Sequence, residues 1–337
     1  RLASRLAREN PLARVVVTGC AAEVEPERLA ASVGVHYVVG NQDKPTLVDL
    51  VLRALEKPLR PEQGERLGGV SGYEEMRSRH PMDRDWPLAE HSLVVPPVGM
   101  KGETRRTRTF MKIQEGCNAF CTYCVIPYGR GPSRSLPISQ IIAQVRSLVR
   151  DGVHEIILTG TNIGDYGADW ADGVQLENLI AAILSETELE RLRVSSLDPI
   201  EISPRLLELM TLEPRFCPHF HVSLQSPHSR ILKLMKRKYT ATQVEQTLRQ
   251  IARVPSREAG PVFVGMDVIT GFPGETLEEF EWGLNCLREL PWARLHVFPY
   301  SERAGTPATR LPGSVSPAER DRRARALKKL SEEKLRA

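Results

Sequence analysis

The chain has 337 residues, of which 41% are hydrophobic and 26% charged, and its formal net charge is +4. This composition is that of an ordinary soluble globular protein, and the length predicts two or three domains or one barrel with additions. No apolar run approaches the roughly 18 residues of a membrane span, and six cysteines are too sparse for a disulfide framework.

The N-terminal part alternates strand and helix signals. Apolar runs without alternation indicate buried parallel strands covered by helices. The predicted strands are residues 14–18 and 35–39, and the predicted helices are residues 26–32 and 45–55. We therefore predict a parallel α/β domain in residues 1–57. Residues 58–107 are rich in Gly, Pro, Arg and Glu without a sustained period, which predicts a linker.

A regular strand-then-helix repeat begins at residue 109. The predicted strands are residues 109–114, 155–159, 192–196, 219–224, 262–270 and 294–299. Between the first two, residues 138–149 carry apolar side chains on one helical face. Six strands alternating with helices predict a parallel sheet that right-handed crossovers curl into a partial barrel over residues 108–312. Residues 313–337 are predicted to form a basic helix.

Polar or glycine residues follow all six predicted strands. Active sites of such folds lie at the carboxyl ends of the strands. The segments in question are residues 117–124, 159–162, 195–199, 225–226, 270–275 and 300–301. Each alone fits ordinary loop chemistry, with glycine in a turn or Ser and Asp at a helix cap. Together they predict one site at this rim.

The first of these loops carries Cys117, Cys121 and Cys124 at C-x3-C-x2-C spacing. Thiolates select soft metals, and three on one short loop can surround a single centre. Three is one fewer than a closed zinc site or a fully ligated iron–sulfur cube uses. We therefore predict a four-iron–four-sulfur (4Fe–4S) cluster with one open iron.

A structural zinc site is the alternative for the same cysteines. It needs a fourth ligand, and the next His is His154, beyond a predicted helix. Cys217 and Cys286 lie in barrel segments, where we predict a buried packing role. The thiols are therefore better suited to a redox-active cluster.

An open iron at a barrel mouth can hold S-adenosylmethionine through its amino and carboxylate groups. Tyr123 is predicted to lie against the adenine, and Gly160 to let backbone groups approach the methionine end. Asn162 or Ser196 is predicted to hydrogen-bond the ribose or the amino-acid part. Gln225 completes the predicted cofactor-binding set.

Basic residues occur in three groups that suit a phosphate backbone. They are Arg105, Arg106 and Arg108; Lys233, Lys236, Arg237 and Lys238; and the run in residues 320–329. The third run is equally consistent with a solvated helix face.

The cysteine spacing is the signature of the radical S-adenosylmethionine (radical SAM) superfamily, and longer motifs resemble its methylthiotransferase branch. These motifs are KIQEGCNAFCTYCVIPYGRGPSRS at residues 112–135, HVSLQSPHSRILKLMKR at residues 221–237 and DVITGFPGET at residues 267–276. The resemblance covers essentially the whole chain. Residues 16–20, VVTGC, resemble the last cysteine motif of that branch's N-terminal domain.

The resemblance implies a sulfur-insertion enzyme. One S-adenosylmethionine gives a radical that abstracts hydrogen from an unactivated carbon, and another methylates the inserted sulfur. A second 4Fe–4S cluster, bound by three cysteines of the N-terminal domain, supplies or carries sulfur. Cys20 is its remnant here, so that cluster is expected in the full-length protein only. The family's C-terminal RNA-binding barrel is also expected beyond this fragment, which should cleave S-adenosylmethionine without completing methylthiolation.

Three substrates compete within the branch. The runs LTGTNIGDYG at residues 158–167 and VSSLDPIE at residues 194–201 look most like enzymes acting on N6-threonylcarbamoyladenosine 37 in the anticodon loop of tRNA. The alternatives are isopentenyladenosine 37 of tRNA and a ribosomal-protein aspartate. From another class, a zinc-stabilised RNA-binding module without catalysis stays open. The resemblance also implies an electron donor such as flavodoxin or ferredoxin, no membrane partner, and a cytoplasmic location.

Overall fold

The computed structural model describes residues 2–10, 12–56, 64–69, 108–257 and 260–336. The described chain divides into two compact units. The first holds the described residues up to 69 together with Gly116–Asn118 and Cys124–Pro132. The second holds the described residues of 108–115, then Ala119–Tyr123 and the chain from Ser133 onward. Among these residues, no helix is both long enough and apolar enough to cross a membrane.

The first unit contains a three-stranded parallel sheet in the order β1-β2-β3. Its strands are β1 (Val16–Thr18), β2 (Tyr37–Val39) and β3 (Glu65–Leu67), and its helices are α1 (Leu2–Glu9), α2 (Cys20–Val24), α3 (Pro26–Ala30), α4 (Leu47–Leu55) and α5 (Ile126–Arg130). The middle strand is fully buried, with Val38 packed against Ala22 and Val39 against Ala54. The sheet is therefore covered by apolar side chains on both faces, as parallel strands require.

Two predictions for this unit need correction. Residues 65–67 were predicted as linker, but they form β3 beside β2. Their sequence, Glu-Arg-Leu, carries no apolar run, so its strand pairing depends on the neighbouring strand and not on local pattern. The helix predicted from residue 45 begins as a 3-10 turn at Lys44–Thr46 and becomes α-helical only at Leu47. Residues 58–63 and 70–107 of the predicted linker lie outside the described residues.

The second unit contains six consecutive parallel strand positions. The strands are β4 (Arg108–Lys112), β7 (Glu155–Thr159), β8 (Arg191–Val194) with β9 (Ser196–Leu197), β10 (His219–Gln225), β11 (Phe263–Thr270) and β12 (Arg294–Pro299). They pair in chain order as β4-β7-β8 and β9-β10-β11-β12, and only Ser195 separates β8 from β9. The predicted α/β class with a partial six-stranded barrel is confirmed. The segment predicted as one strand over residues 109–114 is split, because Gln114 and Glu115 form β5 and pair antiparallel with β6 (Arg134–Ser135).

Helices return the chain between these strands. They are α6 (Ile138–Arg150), α7 (Leu176–Glu186), α8 (Pro204–Leu212), α9 (Ser229–Leu234), α10 (Ala241–Ile251), α11 (Leu277–Glu289) and α12 (Pro317–Arg336). In α6 the buried residues Ile141, Ile142, Val145 and Leu148 recur at helical spacing, which produces one apolar face. Thr276 caps α11 in a reciprocal capping box with Glu279, which fixes where that helix begins.

The basic helix α12 is an integral part of the second unit. Its apolar residues Leu327 and Leu330 are buried, and so is the Arg323 side chain, which is 4% exposed. The Arg323 guanidinium donates to Glu275 Oε2 at 2.7 Å, and Glu275 Oε2 also accepts from the Gly271 N–H. A basic residue predicted to bind phosphate or face solvent therefore anchors the helix to the loop after β11.

Removal of this buried cation should be costly. Arg323→Met leaves the Glu275 carboxylate buried without its ion-pair partner, so we expect the free energy of unfolding to fall by about 3 kcal/mol. Arg322→Met is the matched control, because Arg322 is half-exposed in its pair with Glu319 and its substitution should leave stability essentially unchanged. Urea unfolding followed by circular dichroism measures both. Equal effects of the two substitutions would contradict the buried anchor.

Candidate active site

Two of the three motif cysteines belong to the first unit. Gly116, which precedes Cys117, has φ +78°, and a Cβ placed there would lie 1.7 Å from Pro132 O. Only glycine fits this close backbone approach. The Cys117 N–H donates to Gly131 O at 3.0 Å, and the Ile126 N–H donates to Cys124 Sγ at 3.4 Å. The loop is therefore folded back on itself, with a backbone donor at one sulfur.

Cys20 lies in the same unit, at the first residue of α2. Its Sγ accepts hydrogen bonds from Arg130 Nε at 3.1 Å and from Asn41 Nδ2 at 3.5 Å. Asn41 Nδ2 also donates to Gly129 O at 2.6 Å. Cys20 is therefore held against the short helix α5, which directly follows the motif cysteines in the chain.

The middle cysteine belongs to the second unit. Cys121 is buried, and its Sγ accepts a hydrogen bond from an Arg237 guanidinium N–H at 3.0 Å. The neighbouring Thr122 N–H donates to Met235 O at 3.1 Å, and Thr122 O accepts from the Ala308 N–H at 2.9 Å. This segment is therefore fixed from both sides, by the end of α9 and by the turn at Pro307–Arg310.

The donor set fits an iron–sulfur cluster. Within the described ranges, no three His, Cys, Asp or Glu side chains are gathered closely enough to hold a metal ion. Three thiols nevertheless share one short loop, and N–H groups donate to the sulfurs of Cys121 and Cys124. Hydrogen bonds to sulfur are among the features that tune iron–sulfur clusters. The loop therefore offers the ligand type and the surroundings that such a cluster requires.

Gln114 organises the loop after β7. This side chain is 1% exposed, and its Oε1 accepts from the N–H groups of Thr161 and Asn162 at 3.0 Å each. A Cβ at Gly160 would lie 2.8 Å from that same Oε1. Gly160 was predicted to let backbone groups approach a cofactor. The structure adds a steric reason within the protein, because any side chain at this position would collide with Gln114. The sequence offered no signal for Gln114 beyond its place at the end of the first strand.

A buried network of polar side chains connects the loop after β7 with Cys121. Asn162 Nδ2 donates to Glu201 Oε1 at 3.2 Å, and the Asp198 N–H donates to Glu201 Oε2 at 2.7 Å. Asp198 in turn forms an ion pair with Arg237, the residue that donates to Cys121. This polar network therefore joins the loops after β7 and β9 to the cysteine loop.

Burial determines the protonation state of the two carboxyl groups in this network. Burial and then the charge of Asp198 raise the pKa of Glu201 to about 8, so Glu201 is protonated at neutral pH. Burial also raises the pKa of Asp198, and the adjacent Arg237 guanidinium opposes that rise. A Cβ at Gly164 would lie 2.0 Å from the Glu201 carboxyl carbon, so Gly164 makes the space for this carboxyl.

The remaining predicted cofactor contacts are Tyr123 in the cysteine loop, Ser196 at the start of β9 and Gln225 at the end of β10. The Tyr123 ring packs edge-on against Phe272 with ring centroids 6.2 Å apart, at the margin of an apolar cluster around Met235. Ser196 is exposed in β9, where it pairs with His221 of β10. Gln225 ends β10 with φ +61°, and the Ser226 N–H donates to Leu224 O across it. This is the rare, strained form of γ-turn.

Some of the predicted basic residues are buried in ion pairs within the protein, and others are exposed. Arg237 is only 8% exposed and internally paired, so its predicted role on a phosphate-binding surface is wrong. In the C-terminal run, Arg320 and Arg323 are also buried. Lys233, Lys236 and Lys238 are exposed as predicted. Arg105 and Arg106 lie outside the described residues.

Comparison with known proteins identifies the family of this chain. The profile described as the Radical SAM superfamily matches residues 111–285. A threonylcarbamoyladenosine tRNA methylthiotransferase of Aquifex aeolicus is 37% identical over 97% of this chain and 73% of its own length, and that of Bacillus subtilis is 35% identical over 98% and 67%. A tRNA-2-methylthio-N6-dimethylallyladenosine synthase of Methylobacillus flagellatus is 33% identical over 97% of this chain and 68% of its own length. A solved radical S-adenosylmethionine methyltransferase from Kitasatospora setae gives a TM-score of 0.48 at 17% identity, over 59% of this chain and 38% of that one.

The chain belongs to the radical SAM superfamily and, within it, to the methylthiotransferase family. Membership implies a 4Fe–4S cluster and S-adenosylmethionine as cofactors. The resemblance inferred from the cysteine motif and its neighbouring runs is thereby confirmed.

The protonated Glu201 makes a testable contribution to stability. In the unfolded chain the carboxyl ionises at its ordinary pKa of about 4.3, whereas in the folded chain it stays protonated to about pH 8. Unfolding therefore releases a proton in this window, and stability falls as pH rises through it. The Glu201→Gln variant has no carboxyl group at this position and does not lose this stability. Between pH 4.5 and pH 8, its free energy of unfolding should therefore rise relative to that of the wild type by on the order of 4 kcal/mol.

Urea unfolding at several pH values measures this difference. Glu208→Gln provides the matched control, because Glu208 is an exposed residue of α8 and its substitution should give a pH profile parallel to the wild type. Parallel profiles for Glu201→Gln and the wild type would show that Glu201 is ionised in the folded protein.

Proposed function

We propose that this protein inserts a methylthio group at C2 of N6-threonylcarbamoyladenosine 37 in tRNA, with S-adenosylmethionine as cosubstrate. The observation that carries the proposal is the combination of the Cys117, Cys121 and Cys124 loop with the names of the relatives that match nearly the whole chain. The proposed substrate is the one on which those relatives act according to their names.

Cys117, Cys121 and Cys124 are proposed as the ligands of the radical SAM cluster. Bound there, the cluster would supply the electron that cleaves S-adenosylmethionine reductively. Arg237 holds the Cys121 sulfur through an N–H donor, and Thr122 fixes the adjoining backbone. The contribution of the chain is thus to hold the three thiols and to exclude water around the buried one.

The cofactor contacts are proposed at the loops that follow the strands. Tyr123, Gly160, Asn162, Ser196 and Gln225 are proposed to contact S-adenosylmethionine. In support, two polar atoms in the loop after β7, Thr161 Oγ1 and Asp165 Oδ2, are buried and have no hydrogen-bond partner among the described residues. Buried polar atoms of this kind are normally satisfied by a protein group, water or a bound molecule.

Other partners follow from the same proposal. The parallel unit of residues 1–57, extended by β3, is proposed as part of the family's N-terminal domain, and Cys20 as one ligand of a second cluster. Its Sγ accepts from Arg130 and Asn41, which suits a thiolate. A flavodoxin or ferredoxin is proposed as electron donor. A reducing cytoplasm is proposed as the compartment, because six cysteines in 337 residues are too sparse for a disulfide framework.

A second candidate substrate is isopentenyladenosine 37 of tRNA. It is favoured by the 33% identity to a tRNA-2-methylthio-N6-dimethylallyladenosine synthase. Nucleoside mass spectrometry of tRNA separates the two substrates, using a knockout strain complemented with the full-length gene. Restoration of the methylthio-threonylcarbamoyl nucleoside alone supports the first candidate, and restoration of the methylthio-isopentenyl nucleoside supports the second.

The cluster ligands are tested by anaerobic reconstitution with iron and sulfide. The wild-type chain should turn brown and form 5′-deoxyadenosine from S-adenosylmethionine after reduction, whereas Cys121→Ser should lose both properties. Cys286→Ala is the control, because Cys286 lies on α11 outside the motif and its loss should leave cluster content unchanged. A colourless zinc protein that forms no 5′-deoxyadenosine would favour the RNA-binding module without catalysis.

A further inference from the structure

Strained backbone is concentrated near the cysteine loop. In the part of the chain that the structure describes, three residues other than glycine have positive φ: Phe120 at 48°, Lys236 at 59° and Gln225 at 61°. All three lie in the second unit: Phe120 in the cysteine loop, Gln225 at the end of β10, and Lys236 between α9 and α10. Residues held in sparsely populated conformations cluster at functional sites, so each requires an explanation.

Lys236 occupies a position that normally selects glycine. It follows α9 in a Schellman motif, in which the Lys236 N–H donates to Lys233 O and the Arg237 N–H donates to Leu232 O. The left-handed residue of this motif is usually glycine, because a Cβ is unfavourable there. A lysine at this point reduces stability relative to glycine, which indicates that its side chain serves another purpose.

The side chain of Lys236 lies over an aromatic ring of the cysteine loop. Its Nζ is 5.8 Å from the centroid of Phe120, a ring that is half-buried. The Thr122 N–H and Met235 O form the hydrogen bond that keeps these two segments adjacent. A cation and a flat ring are thus presented together at the edge where the strands end.

Three lysines in and after α9 carry exposed positive charge. Lys233, Lys236 and Lys238 form no ion pair among the described residues, although Lys238 lies close enough to Asp198 to lower the pKa of that carboxyl. The ammonium groups are therefore available to an external anion.

We propose that Phe120, Lys233, Lys236 and Lys238 form a surface that binds an unpaired nucleotide of the RNA substrate and its flanking phosphates. The ring offers a stacking face for a base, and the three ammonium groups match phosphates. Duplex RNA cannot use the ring, because its bases are already stacked. This inference rests on the proposed tRNA substrate and adds the place where the anticodon loop is held.

The decisive variant is Lys236→Gly. Glycine removes the side chain and relieves the left-handed strain, so the unfolding midpoint should stay the same or rise. Affinity for an in vitro transcribed tRNA anticodon stem–loop should nevertheless fall about five-fold, and the slope of log affinity against log salt should decrease by about 0.7 to 0.9. Anaerobic fluorescence anisotropy with the reconstituted protein measures both. Unchanged affinity and slope would overturn the proposal.

Three further arms sharpen the test. Phe120→Leu keeps apolar bulk but loses the stacking face, so binding of the stem–loop should weaken roughly ten-fold while binding of a duplex RNA stays constant. Lys236→Arg keeps the charge and should bind like the wild type. Arg150→Gln removes one exposed charge at the end of α6, toward the opposite end of the barrel, and should have no effect. An equal loss with Arg150→Gln would overturn the surface.

Failure of the surface and failure of the proposed function give different results. If the full-length wild-type protein binds no stem–loop, the tRNA substrate itself is contradicted. If the wild type binds and Lys236→Gly and Phe120→Leu bind equally well, the substrate stands and only this surface is refuted.

Discussion

The buried guanidinium of Arg237 is the interaction on which the arrangement around Cys121 depends. It donates to the Cys121 sulfur, pairs with Asp198 and donates through Nε to the Tyr239 hydroxyl at 3.0 Å. A buried cation is tolerated only when nearby groups compensate its charge, and Asp198 does so here. Burial, and then the charge of Asp198, raise the pKa of Glu201 to about 8, so Glu201 retains its proton at neutral pH. Arg237 therefore links the Cys121 contact to this pair of carboxyl groups.

Two glycines of the loop after β7 are explained by the same internal network. A Cβ at Gly160 would approach the Gln114 side chain, and a Cβ at Gly164 would enter the Glu201 carboxyl group. Glycine runs near a strand end are readily interpreted as cofactor clefts, because backbone can approach a ligand closely there. In this protein the space is first occupied by side chains that fix the loop. The loop is thus built before any cofactor binds, which lowers the entropic cost of binding.

The barrel could be predicted from sequence because its signals are local. Apolar runs mark strands such as Glu155–Thr159, and helical periodicity marks α6. Whether a charged residue is buried or exposed could not be predicted, because the burial of Arg237 or Arg323 depends on carboxylates roughly forty residues or more away in the chain. Strand β3 was missed for a related reason, since Glu-Arg-Leu pairs only where β2 offers an open edge. The cysteine motif was recognisable because ligand spacing is itself a local property.

The charge distribution in the barrel unit separates groups that stabilise the protein from groups that do not. Several arginines of the outer helices pair with neighbouring acids, and the buried Arg323 pairs with the buried Glu275, so these pairs add little net field at the surface. The exposed lysines in and after α9 form no such ion pair, and Lys236 has a strained left-handed backbone conformation. A strained residue of this kind is retained in a fold when its cost in stability is offset elsewhere. An anionic nucleotide offsets this cost, because its phosphate matches the cation in charge and its base matches the aromatic ring in shape.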